Sequence, residues 1–302
     1  MNFTPTLLAE AEAAWKRRAA QPAPAKKRRG GRKHPVPRPF LKWVGGKGHL
    51  VPELKRRIPR DFDGTYHEPF VGGGALFFAL QPDRAHLSDN NLRLVRTYRA
   101  IRDDVDAVIA RLEQLPHDKE LFLQLRREPI DECPDDATVA AWMLYLNKTA
   151  FNGLYRVNSR NIYNVPFGRY TNPLICDDRN LRACHQVLQG VEIDHEPFFS
   201  VRDRAVAGDF VYFDPPYIPL SATSNFTSYT DGAFGDDEQV RLRDVALELK
   251  ERGVRVLLSN SSADRVRELY TPGFRKVETV PVPRRVNSKG SGRGAVDELL
   301  IS

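Results

Sequence analysis

The chain has 302 residues with 46 Lys and Arg against 39 Asp and Glu, and 41% of it is hydrophobic, enough for one large core or a core carrying a smaller unit. Three cysteines without a C-x-x-C pair and seven scattered histidines exclude a disulfide framework and signal no zinc site. No stretch is long and apolar enough to span a bilayer, and no apolar segment follows a basic start, so a reduced, cytoplasmic protein is expected.

The charge is unevenly spread. Residues 1–38 hold ten Lys and Arg against two Asp and Glu, leaving 36 basic and 37 acidic residues elsewhere. Thr4-Pro5 followed by Leu8, Ala11 and Trp15 predicts one short helix. The run QPAPAKKRRGGRKHPVPRP behind it is broken by Pro and Gly and reads as a disordered polybasic tail. Such a tail suits non-specific contact with phosphates, with a solubility tail or a nuclear-type signal as the alternatives.

The folded part opens with RPFLKWVGGKGHLVPEL, in which Phe40, Leu41, Trp43 and Val44 lead into a Gly45-Gly46 turn ending on Lys47. The spacing of a P-loop is absent, which argues against nucleoside-triphosphate hydrolysis. YHEPFVGGGALFFAL, residues 66–80, reads as strand, Gly-rich turn and helix. Gly72, Gly73 and Gly74 let the backbone approach a ligand without a Cβ in the way, and the helix that follows points its N-terminus there. AHLSDNN then places Asp89 at the end of a second strand, 17 residues beyond Gly72. Doubly wound folds use an acid there for ribose hydroxyls; a helix cap is the other reading.

From about residue 93 to 195 the pattern is helical and charged, and the sheet pattern is predicted to resume near 206, which makes this region an insertion of subdomain size. It contains NKTAFNGLYRVNSRNIYNVPFGRY, residues 147–170, which reads as an exposed hairpin loop turning at Asn158 to Asn161. Arg pairs bidentately with guanine and Asn with adenine, and Phe or Leu can wedge against bases. Composition alone leaves an ordinary surface hairpin open.

GDFVYFDPPY, residues 208–217, centres the whole chain. Val211, Tyr212 and Phe213 form a β-prone run that delivers Asp214 to the carboxyl edge of a buried strand, where open α/β sheets bind ligands. Pro215 and Pro216 end the ladder and stiffen the loop, and Tyr217 adds a flat ring. A carboxylate, a rigid carbonyl and an aromatic face suit a planar ring bearing an exocyclic amine, adenine or cytosine. Residues 218–239 read as a polar loop, GVRVLLSNSSADRVRELY as strand and helix, and the last segment as a closing hairpin whose Arg284, Arg285, Lys289 and Arg293 form a basic edge.

Asp214-Pro215-Pro216-Tyr217 after an apolar strand resembles the catalytic motif of amino-methyltransferases that use S-adenosylmethionine. With the 38–54 segment, the Gly-rich turn, the 147–170 hairpin and the VDELL ending in the same order, residues 38–302 resemble the Dam-type, GATC-specific DNA adenine N6 methyltransferases, the α group or D12 class. The resemblance implies an α/β fold: a doubly wound, mostly parallel Rossmann-like methyltransferase sheet with an inserted helical DNA-recognition subdomain. Residues 39–92 and 196–302 would form the catalytic domain and 93–195 the target-recognition subdomain.

It further implies an S-adenosylmethionine pocket lined by Trp43, Lys47, Glu68, Phe70, Gly72, Asp89 and Asp214, catalysis by Asp214, Pro215, Pro216 and Tyr217, and no metal. In the hairpin, Phe151 and Asn152 would contact the central bases, Leu154 and Arg156 the outer ones, and Asn158 and Pro166 would support them. Asn225 and Phe226 would lie near the flipped base. Relatives commonly carry Tyr where this chain has Phe151, so the ring can still stack but brings no hydroxyl to the bases. The expected partner is double-stranded DNA, met by a monomer without a membrane. Two rivals are a cytosine N4 methyltransferase, against which the leading Asp argues, and a non-catalytic DNA-binding regulator, against which the intact motif argues.

Overall fold

The computed structural model describes residues 36–59, 61–217, 234–283 and 295–302. The basic tail up to residue 35, Asn225 and Phe226, and the basic edge at Arg284, Arg285, Lys289 and Arg293 lie outside the described residues.

Side-chain alternation in one strand sets the architecture. In β4 (Phe210–Phe213) all four residues are buried; Phe210 and Tyr212 enter one hydrophobic cluster, Val211 and Phe213 another. A strand with no solvent face needs cover on both sides, as parallel sheets do. β4 sits mid-sheet, with β1 (Tyr66–Glu68), β2 (Ala85–Asp89) and β3 (Glu192–His195) to one side and β5 (Arg255–Ser261), β7 (Ala295–Ile301) and β6 (Val277–Pro283) to the other, in the order β3-β2-β1-β4-β5-β7-β6. The first five are mutually parallel, and β7 pairs antiparallel with both β5 and β6.

The strand order reverses between β1 and β4, and such a reversal opens a crevice at the carboxyl ends of the two strands. Glu68 ends β1 and Asp214 follows β4, so the topology alone brings these two carboxyls to one crevice.

The five α-helices between β2 and β3 begin where short polar side chains cap them. Asn91 accepts the Leu94 N–H at 3.1 Å and starts Leu92–Asp103. The long helical pattern that follows is two helices, because Asp104 accepts the Ala107 N–H at 3.0 Å and starts Val105–Leu112. Asp136–Thr149, capped by Asp135, is buried on nearly every side, with Leu92–Asp103 and Val105–Leu112 packed on it. Its Trp142 indole donates to the Leu125 carbonyl at 2.6 Å, which fixes the neighbouring helix Lys119–Leu125.

One sequence expectation is corrected here. The sheet resumes at β3, residues 192–195, not near 206. β3 pairs with β2 through Ser88↔Asp194 and Asp89↔His195, so the stretch assigned to the 93–195 insertion includes an edge strand of the main sheet. Helix Leu92–Asp103 also packs against β2 and β3. Only Ile193 of Glu192–His195 is buried; an edge strand this short and charged has no apolar run to reveal it.

Candidate active site

Asp214 stands at the floor of the crevice with two side-chain partners on one of its oxygens. Lys47 Nζ lies 2.8 Å from its Oδ1, and the Ser259 hydroxyl donates to the same oxygen at 2.9 Å. Ser259 is also 3.0 Å from the Tyr212 hydroxyl. Burial pushes the Asp214 carboxyl above its ordinary range, opposed by Lys47 and Ser259 and reinforced by Glu298. The lysine is only 4% exposed, so removing either member would strand a buried charge, a loss of about 3–5 kcal/mol.

The loop beyond Asp214 is held from behind. Gln239, fully buried, donates to the Pro216 carbonyl at 3.1 Å and itself accepts from Asn260 at 3.0 Å. The Tyr217 ring has Lys47 Nζ over it, 4.3 Å from the centroid, and its hydroxyl donates to Glu298 Oε2 at 2.6 Å.

Across the crevice, Gly72 takes φ +46°, and a Cβ on it would sit 2.7 Å from Trp43 Cδ1. Close backbone approach is thus needed here for the chain's own indole, a use the sequence reading did not foresee. A Cβ on Gly74, at φ +63°, would meet the Tyr98 hydroxyl at 2.6 Å; that hydroxyl donates to the Gly72 carbonyl at 3.1 Å. Asp89 accepts the N–H groups of Gly72 at 3.1 Å and Asn91 at 2.9 Å, and burial pushes its carboxyl up to about 6. Since Asn91 caps the following helix, Asp89 ties the Gly-rich turn to the end of β2 and the cap reading falls away. Glu68, 3% exposed, accepts the Tyr66 hydroxyl at 2.8 Å, and desolvation raises it to about 8. Phe70 stacks on Phe198, centroids 5.3 Å apart, with Phe234 edge-on.

Trp43, Lys47, Glu68, Phe70, Gly72, Asp89, Asp214, Pro215, Pro216 and Tyr217 all line one cleft of about 2020 Å³. A small-molecule pocket holds roughly 300–1,000 Å³, so this one has room for two ligands side by side. The hairpin contributes Tyr155, Val157 and Asn161 to its wall. Tyr155 stacks on Trp43 at 5.3 Å and 21°, and Arg93 bonds the Tyr155 hydroxyl at 3.3 Å, the Asn161 carbonyl at 2.7 Å and Asp131 through two nitrogens at 2.7 Å.

Phe151, Asn152, Leu154, Arg156, Asn158 and Pro166 do not line the cleft. The hairpin is closed by two bridges, Ala150↔Phe167 and Val157↔Tyr163. Phe151 is 48% exposed, and Asn152 adopts a left-handed φ of 55°, a conformation Asn tolerates better than most residues. Arg156 Nε donates to Asn164 Oδ1 at 2.7 Å. Asn158 Oδ1 accepts the Arg160 and Ile162 N–H groups, both at 3.0 Å, and the Pro166 carbonyl accepts the Phe151 N–H at 2.9 Å.

Ser259, Gln239, Glu298, His195 and Phe198 belong to the site or its supports and were not singled out from sequence. Elsewhere, His86, Glu192 and Asp194 bring possible metal-ligand atoms together. Arg204 contacts Glu192 at 3.4 Å, Asp194 at 3.1 Å and Glu196 at 3.1 Å, supplying the positive charge this group requires. Among the described residues no helix is long and apolar enough to cross a membrane.

The sheet order and the cleft at its carboxyl edge define a Rossmann-like methyltransferase fold. The chain belongs to the D12 class N6 adenine-specific DNA methyltransferases, whose family description matches residues 43–281. It is 42% identical over 273 residues to the type II methyltransferase M1.LlaDCHI of Lactococcus lactis subsp. cremoris, covering 88% of this chain and 95% of that one. Identity to the type II methyltransferase M.MjaIII of Methanocaldococcus jannaschii is 40% over 286 residues, 87% and 98% of the two chains. To the DNA adenine methylase of Escherichia coli (strain K12) it is 36% over 267 residues, 87% and 94%. The chain is accordingly an adenine-specific DNA methyltransferase, which removes the cytosine N4 and the non-catalytic readings.

Proposed function

We propose that this enzyme transfers a methyl group from S-adenosylmethionine to N6 of adenine at GATC in double-stranded DNA, with the target base rotated out of the helix into the cleft. The observation that carries this reading is the convergence of Asp214, Tyr217, Lys47, Glu68 and Asp89 on one cleft large enough for cofactor and base together.

The donor set fits S-adenosylmethionine. Glu68 is a buried carboxyl that a cationic amine would bring back into its ionised form. Asp89 ends β2 where a ribose is held in folds of this topology, and Phe70 and Phe198 offer apolar ring surface for a purine. When bound, the cofactor supplies an electrophilic methyl group.

The remaining chemistry falls to the chain. The adenine amine is a poor nucleophile because its lone pair is delocalised into the ring. Asp214 and the Pro215 carbonyl accept hydrogen bonds from its two N–H groups and favour the tetrahedral geometry in which the lone pair is available, while Tyr217 stacks on the ring. Once the nitrogen carries the methyl group it is cationic, and one of those two protons is lost to solvent. Lys47, now on Asp214 Oδ1 at 2.8 Å, keeps that carboxylate charged against its burial and gives way to the amine. Positioning and polarisation supply the rate, without a covalent intermediate on the enzyme.

Phe151, Asn152, Leu154 and Arg156 read the site, Asn158 and Pro166 hold the reading loop, and Asn225 and Phe226 approach the displaced base. The basic tail grips phosphates at any sequence. The protein works as a monomer on cytoplasmic DNA.

The test is digestion of DNA from cells expressing the chain with nucleases that cut GATC only when methylated, or only when unmethylated, followed by nucleoside analysis. N6-methyladenine confined to GATC is expected, and none with Asp214→Ala. Methylation at another sequence would refute the specificity, and full activity of Asp214→Ala would remove that carboxylate from the mechanism.

A further inference from the structure

Tyr217 is fixed at both ends by groups far away in sequence. Its backbone follows the Pro216 carbonyl, which buried Gln239 holds at 3.1 Å, and its hydroxyl donates to Glu298 Oε2 at 2.6 Å. Glu298 is well placed to act as a fixed post. It lies on β7, paired with Ser261 of β5 on one side and Val280 of β6 on the other, and its side chain is 14% exposed. Its second oxygen faces His49 Nε2 at 3.6 Å, looser than the contact with the phenol. The carboxylate's close partner is therefore the tyrosine.

We propose that Glu298 is a positioning residue for methyl transfer, holding the Tyr217 ring in the orientation that receives the target base. The proposal rests on the function proposed above, in which Tyr217 is the stacking surface. A Tyr side chain has three staggered χ1 wells, and a ring free to change well presents its face to the base only part of the time. A hydrogen bond to a carboxylate is shorter and stronger than one between neutral groups and selects one well before the base arrives. Anchoring of this kind changes how often a bound base is correctly stacked, and leaves the recognition hairpin and the Asp89 end of the cleft untouched. Its effect belongs in kcat.

The full-length enzyme is assayed on a GATC duplex with labelled S-adenosylmethionine, comparing wild type, Tyr217→Phe, Glu298→Ala, Glu298→Gln and the double variant Tyr217→Phe/Glu298→Ala. Each of Tyr217→Phe and Glu298→Ala is expected to lower kcat about tenfold, the scale of removing one hydrogen bond to a charged group, with both KM values within about twofold. The double variant should be no slower than either single one, because both remove the same contact. Glu298→Gln, whose amide oxygen still accepts the phenol proton, should recover most of kcat. Losses that multiply in the double variant, a raised KM at constant kcat, or Glu298→Gln as slow as Glu298→Ala would overturn the proposal. If Glu298→Ala does not fold, Tyr217→Phe decides: a tenfold loss in kcat supports the anchor, and full kcat overturns it. A wild-type chain inactive on DNA would overturn the proposed function and this inference together, whereas an active chain with independent losses overturns this inference alone.

Discussion

Glu68 is the group through which pH should act on folding between pH 6.5 and 8. It sits at the end of β1, 3% exposed, and burial raises its carboxyl from 4.5 to about 8. Below the ordinary value the folded and unfolded chains both hold the proton, and the group contributes nothing. As pH rises past that value the unfolded chain loses the proton and the folded chain keeps it, so stability falls with pH; above about 8 the whole cost of the buried charge is present. With one proton separating the two states the slope is about 1.4 kcal/mol per pH unit, equivalent to about 2 °C in Tm for a chain of this size. Asp89, raised to about 6, has released most of its proton before this window opens. Glu68→Gln keeps the size and an acceptor for the Tyr66 hydroxyl but cannot ionise, so its Tm should be nearly flat where the wild type declines. Thermal unfolding followed by circular dichroism, without cofactor, reads both curves. Parallel curves for the two proteins would refute the reasoning. A cationic cofactor placed against Glu68 would also expel most of one proton at pH 7, visible in calorimetry as a binding enthalpy that tracks the ionisation enthalpy of the buffer.

Gly72→Ala forces a left-handed backbone on a residue with a Cβ, about 1–2 kcal/mol, and drives that Cβ to 2.7 Å from Trp43. It should lower Tm by several degrees and weaken S-adenosylmethionine binding by about tenfold or more in calorimetry, whereas Gly48→Ala, whose Cβ would meet nothing within 4 Å, should match wild type in Tm. Arg156→Ala should reduce the kcat/KM preference for GATC over a site with one outer base changed by about tenfold, since a bidentate Arg–guanine pair contributes roughly 1–3 kcal/mol of discrimination. An equal loss at both sites would reassign Arg156 to the DNA backbone.

The parts of this site legible in the sequence are those that local chemistry dictates. A β-prone run stopped by two prolines put Asp214 at the edge of β4, and an acid at the end of a short apolar strand put Asp89 at the edge of β2. The supports were hidden because strand pairing creates them. Ser259 reaches Asp214 from 45 residues away, and Glu298 reaches Tyr217 from 81 residues away across an antiparallel strand. β3 escaped because an edge strand with charged residues has no pattern to betray it, and with it went His195 and the neighbouring Phe198. Gly72 is a point of close approach, as its place in a Gly-rich turn predicts, but the group that approaches is Trp43, 29 positions earlier, which no spacing rule connects to it.

The hairpin that carries Arg156 sorts its residues by parity. Tyr155 and Val157 face the cleft, and Tyr155 is clamped between Trp43 and Arg93, while Leu154, Arg156 and Asn158 stand outside it. From 155 to 158 the odd positions thus belong to the cleft wall, while the even ones, Arg156 and Asn158, are exposed. On the function proposed above, a change of target sequence can be written at Arg156 with the pocket wall left intact, whereas Asn158, which accepts the Arg160 and Ile162 N–H groups, must stay to hold the turn. The same strand could then serve enzymes that share one chemistry and differ in the DNA words they mark.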